Sequence, residues 1–236
     1  MSNLLRTLEN EVQLAALAFM AVIYALRLVW LFRFKSDKER AWAAGSERSG
    51  IAFSMMNIAL PWAMESTRNK PGFYLQFILF HLGVAAAIGA TFIIPYAPRF
   101  FKIPAAVWSF RVIIGLAFLI GLLRLIRRLR DPVVRLISSL DDYASLVLMI
   151  FYFGAGVLAV GGDQPRSEAP LIFFFGLTAL FLVYVPFSKI GHYLYYPFTH
   201  FFLGRSLGRR GVYPLKPHPD KDDVRPGTRP VTEERV

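Results

Sequence analysis

Five apolar runs, each long enough to cross the hydrocarbon core of a bilayer, constrain this chain more than any motif in it. They lie at about residues 12–32, 73–94, 105–123, 143–160 and 171–187. A helix needs roughly 20 mostly apolar residues to span. Hydrocarbon offers backbone amides no partner, so only helices and closed barrels cross it. Asn-Gly hairpin signals and the alternating segments of barrel strands are absent, which points to helices. The remaining composition agrees. At 55% hydrophobic and a mean hydropathy of +0.44, 236 residues carry more apolar surface than their polar residues can enclose in water. The expected fold is an all-α integral membrane protein: a bundle of five transmembrane helices over residues 1–206, followed by a basic, Pro-rich tail over 207–236. The first run is a poor cleavable signal peptide, because it is long, follows Glu9 and Glu11, and lacks a small-residue cleavage site. It is expected to stay.

The net charge of +11 suggests nucleic acid until the cations are placed on the five spans. Arg33, Lys35, Lys38, Arg40, Arg48, Arg68 and Lys70 follow span one; Arg124, Arg127, Arg128, Arg130 and Arg135 follow span three; nine more run from Lys189 to Arg235. The other side has only Arg6, Arg99, Lys102 and Arg166. Basic loops stay in the cytoplasm, so the amino terminus is expected outside and the tail inside, in the inner (cytoplasmic) membrane. Nucleic-acid binding would leave the alternation unexplained. Lipid contact explains it.

The chain has no cysteine. It therefore holds no disulfide, no cysteine-ligated iron–sulfur cluster and no haem attached through C-x-x-C-H. Residues 51–64, interrupted by Pro61, are apolar but too short to span; an interfacial helix is preferred over a re-entrant segment. Five prolines beyond Leu207 argue for an irregular tail lying on the membrane or on a partner.

Four histidines carry what chemistry the chain shows. His81 lies inside span two, about nine residues or roughly 13 Å from its cytoplasmic end. An imidazole at that depth serves either as a ligand or, neutral, in a hydrogen bond to a backbone carbonyl or a serine. His192 follows span five, and the two reach similar depth if span five stays helical past Phe187. That geometry suits one haem between two helices, with Gly83 and Gly191 leaving room for a porphyrin or, alternatively, serving helix packing. His200 and His218 read as surface residues, His200 being a substitute ligand on the fifth-span side. Arg111 within span three reads as snorkelling outward in preference to pairing inside the bundle, and Arg27 as snorkelling near the inner face. Arg124 and Arg127 can reach haem propionates, with lipid phosphates the preferred partners.

Three stretches resemble the cytochrome b gamma subunit of respiratory nitrate reductase and its relatives in membrane redox complexes. Leu79-Phe80-His81-Leu82-Gly83 is similar to that family's ligand stretch on its second helix. Arg127-Arg128-Leu129, Pro132, Arg135 and Asp142 are similar to its third loop. Pro186-Phe187-Ser188-Lys189-Ile190-Gly191-His192, with Pro197, is similar to the end of its fifth helix. The resemblance covers nearly the whole chain. It implies haem b bound non-covalently by His81 and His192, quinone as the diffusible substrate, and a cytoplasmic iron–sulfur or flavin partner, the chain being a subunit of a quinone-dependent oxidoreductase. Two-haem members carry further histidines where this chain has Thr91 and Phe174, so one haem, the inner one, is expected. A lysine just before the third span assists quinol oxidation in that family, and Lys102 stands at about that place; it is also an ordinary interfacial anchor. Its distance from His81 weighs against that role and leaves open a quinone site nearer the inner haem, bordered by residues 51–64. The alternative function is a haem-free anchor or scaffold that recruits a soluble redox enzyme through its basic loops. A transporter ranks third, because internal repeats and midplane charges are lacking.

Overall fold

The computed structural model describes residues 2–34, 42–60, 68–161 and 168–214. All regular structure among them is helical. Five helices are long and apolar enough to cross a membrane, which makes this a multi-pass membrane protein: α1 (Asn3–Arg33), α3 (Pro71–Tyr96), α4 (Pro104–Arg130), α5 (Leu140–Ala159) and α6, whose α-helical part is Ala169–Tyr184. Two further helices of more than two turns are α2 (Glu47–Ala59) and α7 (His192–Arg209), and a short one covers Pro132–Leu136.

The helices outrun the apolar runs for local reasons. Proline at the first helical turn starts α3, α4 and α6, where a missing N–H costs nothing. A reciprocal Ser139–Asp142 box starts α5. α4 continues beyond Leu123 through Arg127, Arg128 and Arg130, since arginine propagates helix well and cations suit a helix carboxyl end. α1 begins at Asn3, so Glu9 and Glu11 lie inside it, and residues Leu8–Val12 form a π-turn.

The described residues fall into two compact units, one within Met1–Ser36 and Met64–Tyr195, the other within Asp37–Ala63 and Tyr196–Val236. In the first, α3 packs on α4, α4 on α5, α5 on α6 and α6 on α1. Ile114 and Ala117 of α4, Phe153 of α5 and Phe174 and Phe175 of α6 are buried at its core. The closest approach is between α3 and α4, where a Cβ added at Gly83 would stand 2.1 Å from that of Ala117. Arg111 reaches the end of the bundle and donates from Nε to the Val160 carbonyl at 2.6 Å, satisfying a carbonyl at the end of α5. Its snorkelling therefore ends on protein.

The second unit is a helix pair. α2 covers residues 51–59 of the segment expected at the interface and begins four residues before it; residues 61–64 of that segment lie outside the described residues, as does the tail from residue 215, with His218. The tail was expected from 207, but α7 continues to Arg209. α2 and α7 cross on glycines: a Cβ at Gly50 would meet the Gly204 carbonyl oxygen at 2.3 Å, and one at Gly208 would meet that of Ser46 at 2.6 Å. Arg205 and Arg209 grip Glu47 at 3.0 and 3.2 Å. Their hydrogen bonds, Arg209 first, hold the Glu47 carboxyl below its ordinary value of 4.5. A lowered carboxylate pKa contributes stability above the unfolded value and loses it as pH falls through the folded one. Amide protection in α2, the slowing of exchange relative to an unstructured amide at the same pH, should therefore hold from neutral pH down to the ordinary carboxylate range and fall below it. In Glu47→Gln the protection is expected to be lower at neutral pH and to lose that acid dependence. An unchanged profile in the variant would remove Glu47 as the clamp.

Candidate functional site

A cavity of about 1170 Å³ lies within the first unit. Its lining comes from all five long helices and from the start of α7. The apolar part includes Leu17, Met20, Phe80, Val84, Leu146, Met149 and Phe181. One end is strongly basic, with Arg124, Arg127, Arg128 and Lys189 beside the acid Asp142. Lys189 bonds Asp142 at 2.8 Å, and Arg128 stands 3.7 Å from the same carboxylate oxygen. The guanidiniums of Arg124 and Arg127 lie over the rings of Phe80 and Phe73, at 4.7 and 4.5 Å. Asp142 is shared between Lys189 and Arg128 and Asp131 stands 4.0 Å from Arg127, so four cations meet two acids and this mouth keeps an excess of positive charge.

His81 and His192 meet in this cavity. Their ring centroids are 6.5 Å apart and their planes stand at 85°. The His81 Nδ1 lies 2.8 Å from the Phe77 carbonyl oxygen and the His192 Nδ1 lies 3.0 Å from that of Lys189. A carbonyl only accepts, so both δ nitrogens carry the proton and both ε nitrogens keep a free lone pair in the neutral ring. Both imidazoles are exposed to the cavity. They form a pair of nitrogen donors with fixed tautomers, oriented as metal-ligating histidines usually are, through the other ring nitrogen. Among the described residues no three His, Cys, Asp or Glu side chains gather to hold a bare metal ion. A pair of imidazoles alone suits a metal whose remaining positions are filled by something else.

The route by which His192 arrives differs from the expected one. The fifth span does not stay α-helical past Phe187. Pro186 withholds an amide from the ladder, and the chain turns through short 3₁₀ segments at Val185–Phe187 and Lys189–Gly191, separated by extended Ser188. The Ser188 hydroxyl oxygen then accepts from the Ile190 amide, and α7 starts afresh at His192. Gly191 makes this fold-back possible, since a Cβ there would stand 2.9 Å from the Val185 carbonyl oxygen. Gly83 faces Ala117 of α4. Neither glycine makes room for a porphyrin: the packing alternative holds for Gly83, and a tight turn explains Gly191.

The other predicted residues separate clearly. His200 is engaged in the second unit, its Nδ1 within 3.0 Å of both the Ser54 hydroxyl and the Ser54 carbonyl oxygen. Lys102 ends the 3₁₀ turn Pro98–Lys102, is exposed, and does not line the cavity. Arg124 and Arg127 do line it, together with Arg128. Arg27 donates to the Tyr195 hydroxyl at 2.7 Å. Thr91 gives its hydroxyl proton to the Ile88 carbonyl at 2.7 Å, and Phe174 is fully buried and stacked on Tyr152 at 5.2 Å. Gln13 was missed by the sequence reading. It is 4% exposed, lines the cavity, and its carboxamide oxygen has no hydrogen-bond partner. The available signal was an amide four residues after Glu9, placing two polar groups on one stripe of the helix where its apolar run begins.

Compared with known proteins, the chain matches no family profile, no curated protein and no solved structure. The functional reading therefore rests on the site itself.

Proposed function

We propose that this chain is a membrane cytochrome b subunit that holds one haem b between His81 and His192 and passes electrons between the quinone pool and a cytoplasmic iron–sulfur or flavin partner. The separation of the two imidazoles carries the reading. Two imidazoles that would hold one metal ion between them need ring centroids about 6 Å apart, from a metal–imidazole bond of about 2 Å and roughly 1 Å more from nitrogen to ring centre. The observed separation is 6.5 Å. His81 and His192 would be the two protein ligands of a haem, which needs no third donor from the chain. Arg124, Arg127 and Arg128 supply cations at the cavity end where propionates would lie, which favours them over lipid phosphate alone.

A bound haem supplies one-electron chemistry. The chain's own contribution is to fix both imidazoles in the metal-binding tautomer, to neutralise the acid groups with its arginines and to line the macrocycle with Phe80, Met149 and Phe181. With no cysteine in the chain, clusters must come from the partner, which the basic loops would meet on the cytoplasmic face of the inner membrane. The likeness of the histidine-bearing stretches to the nitrate reductase gamma subunit points to the same role.

The test is a dithionite-reduced minus oxidised spectrum of the purified protein, with haem measured against protein. A b-type band at one haem per chain is the expected result. No band would sink the haem reading, and two haems per chain would overturn the single-site assignment.

A further inference from the structure

Two acidic side chains at the start of α5 close on the residue that holds His192. The Asp142 carboxylate takes the Lys189 ammonium at 2.8 Å, and the Asp141 Oδ2 accepts from the Lys189 backbone amide at 3.0 Å. Lys189 in turn accepts the His192 Nδ1 proton on its carbonyl oxygen, at 3.0 Å. We propose that Asp141 is a positioning residue for His192: its carboxylate fixes the turn that orients this imidazole, and so sets the angle between the His192 and His81 rings. The inference rests on the haem reading above for what that angle does electronically, and not for the ordering of the ring.

Three observations carry it. First, the turn between α6 and α7 needs an outside hold. Its own backbone bonds, Ser188 to Val185 and Gly191 to Ser188, are local and 3.2 Å long, whereas the bonds from Asp141 and Asp142 reach it across 48 and 47 residues of chain. Second, the two acids hold Lys189 differently. The bonds of its ammonium to Asp142 and Ser139 end on a flexible four-carbon stem and leave the backbone free to turn. Asp141 grips the main chain of the residue whose carbonyl orients the ring, and a bond to an ionised acceptor is roughly twice as strong as a neutral one. Third, Asp141 is itself held. Its Oδ1 accepts from the hydroxyl of Tyr184, the last residue of α6, and that hydroxyl meets the buried Ser145 hydroxyl at 2.9 Å. The carboxylate thus joins the start of α5, the end of α6 and the turn that delivers His192. Metal-ligating histidines depend on such outer partners for tautomer and ring orientation. The planes of the two rings stand at 85°. In a low-spin ferric haem, perpendicular imidazoles leave two iron d orbitals nearly equal in energy and parallel ones split them. The spread of the electron paramagnetic resonance signal therefore reports the ring angle.

The test compares full-length wild type, Asp141→Ala and Asp141→Asn in phospholipid nanodiscs. The wild type is expected to give the widely spread signal of near-perpendicular rings. Asp141→Ala should lose that spread and bind haem about 10–100-fold more weakly, with the helical circular dichroism unchanged. Asp141→Asn keeps a carboxamide oxygen for the Lys189 amide and can donate to the Tyr184 hydroxyl, so it should keep the wild-type signal. A wild-type signal in Asp141→Ala, or the same loss in Asp141→Asn as in Asp141→Ala, would overturn the proposal. If Asp141→Ala fails to fold, Asp141→Ser decides, since serine is too short to reach the Lys189 amide. The same chains produced without haem and labelled with ¹⁵N in the histidine rings supply a second readout, with the His192 resonances assigned by their loss in His192→Gln. His192 should be held as the Nδ1–H tautomer in the wild type and relax to a mixture of tautomers in Asp141→Ala; identical spectra would overturn the proposal. Wild type without a b-type band would refute the haem reading alone, and the ring-nitrogen spectra would still decide the role of Asp141. A b-type band whose signal ignores Asp141→Ala would refute this proposal alone.

Discussion

Replacing His192 with Ala is expected to abolish the b-type band while leaving the helical bundle folded. The imidazole stands at the first position of α7, exposed to the cavity, and its one hydrogen bond is the short-range contact to the Lys189 carbonyl. Little packing is lost with it. His81→Ala should behave alike, because that ring is held by the Phe77 carbonyl and by the Phe77 ring at 4.1 Å, both one turn away on α3. The effect on haem is far larger than the effect on the fold. Loss of a group that only orients a metal ligand costs about 10–100-fold in affinity, so loss of a ligand itself should leave haem below detection after purification. His200→Ala is the control: its Nδ1 is committed to Ser54 in the other unit, and the band should be unchanged. Circular dichroism separates loss of haem from loss of helix. A normal band in both His81→Ala and His192→Ala would remove the ligand assignment.

The five long helices were legible in the sequence because lipid makes hydropathy a direct reading of structure. Their ends were less so. Hydropathy stops at the first charge, whereas α4 runs on to Arg130 and α1 starts at Asn3, because caps and helix propensity decide ends and ignore polarity. The meeting of His81 and His192 followed from placing both near one end of the bundle. The apolar run ends at residue 187, but the fold-back through Pro186 and Ser188 that delivers His192 was not anticipated, since hydropathy says where a run stops and not how the chain turns after it. Glycine was ambiguous, having no side chain to show which way it faces: Gly83 was open to a porphyrin or to helix packing, and it belongs to the α3–α4 contact. Gln13 was overlooked for the opposite reason. One amide in an apolar helix has no meaning until the neighbouring helices are placed and leave it facing a cavity.

Gly83→Val should be the most damaging single change in the bundle away from the histidines. A Cβ at position 83 would lie 2.1 Å from the Ala117 Cβ and 3.2 Å from the Ile113 carbonyl oxygen, and Ala117 is itself fully buried. The obstacle is a short side chain fixed to a helix backbone, so it has no rotamer by which to yield. α3 and α4 would have to separate. Overpacking of this kind costs about 1–3 kcal/mol and occasionally more, and valine adds two methyl groups to the overlap. In membrane helices the loss falls on close packing itself, which is the main attraction left when both solvent and core are apolar. The fall in melting temperature, followed by circular dichroism in detergent, should be large for Gly83→Val and smaller for Gly83→Ala. The decisive comparison is Gly83→Ala with Ala117→Gly. Exchanging the two residues keeps one methyl group in the contact, leaving the Ile113 carbonyl as the nearest neighbour, so the double variant should recover most of the stability lost in Gly83→Ala. Absence of recovery would mean that position 83 needs glycine for a reason other than its approach to Ala117. His81 sits on the same helix half a turn earlier, so displacement of α3 should also lower haem retention in Gly83→Val and restore it in the exchanged pair.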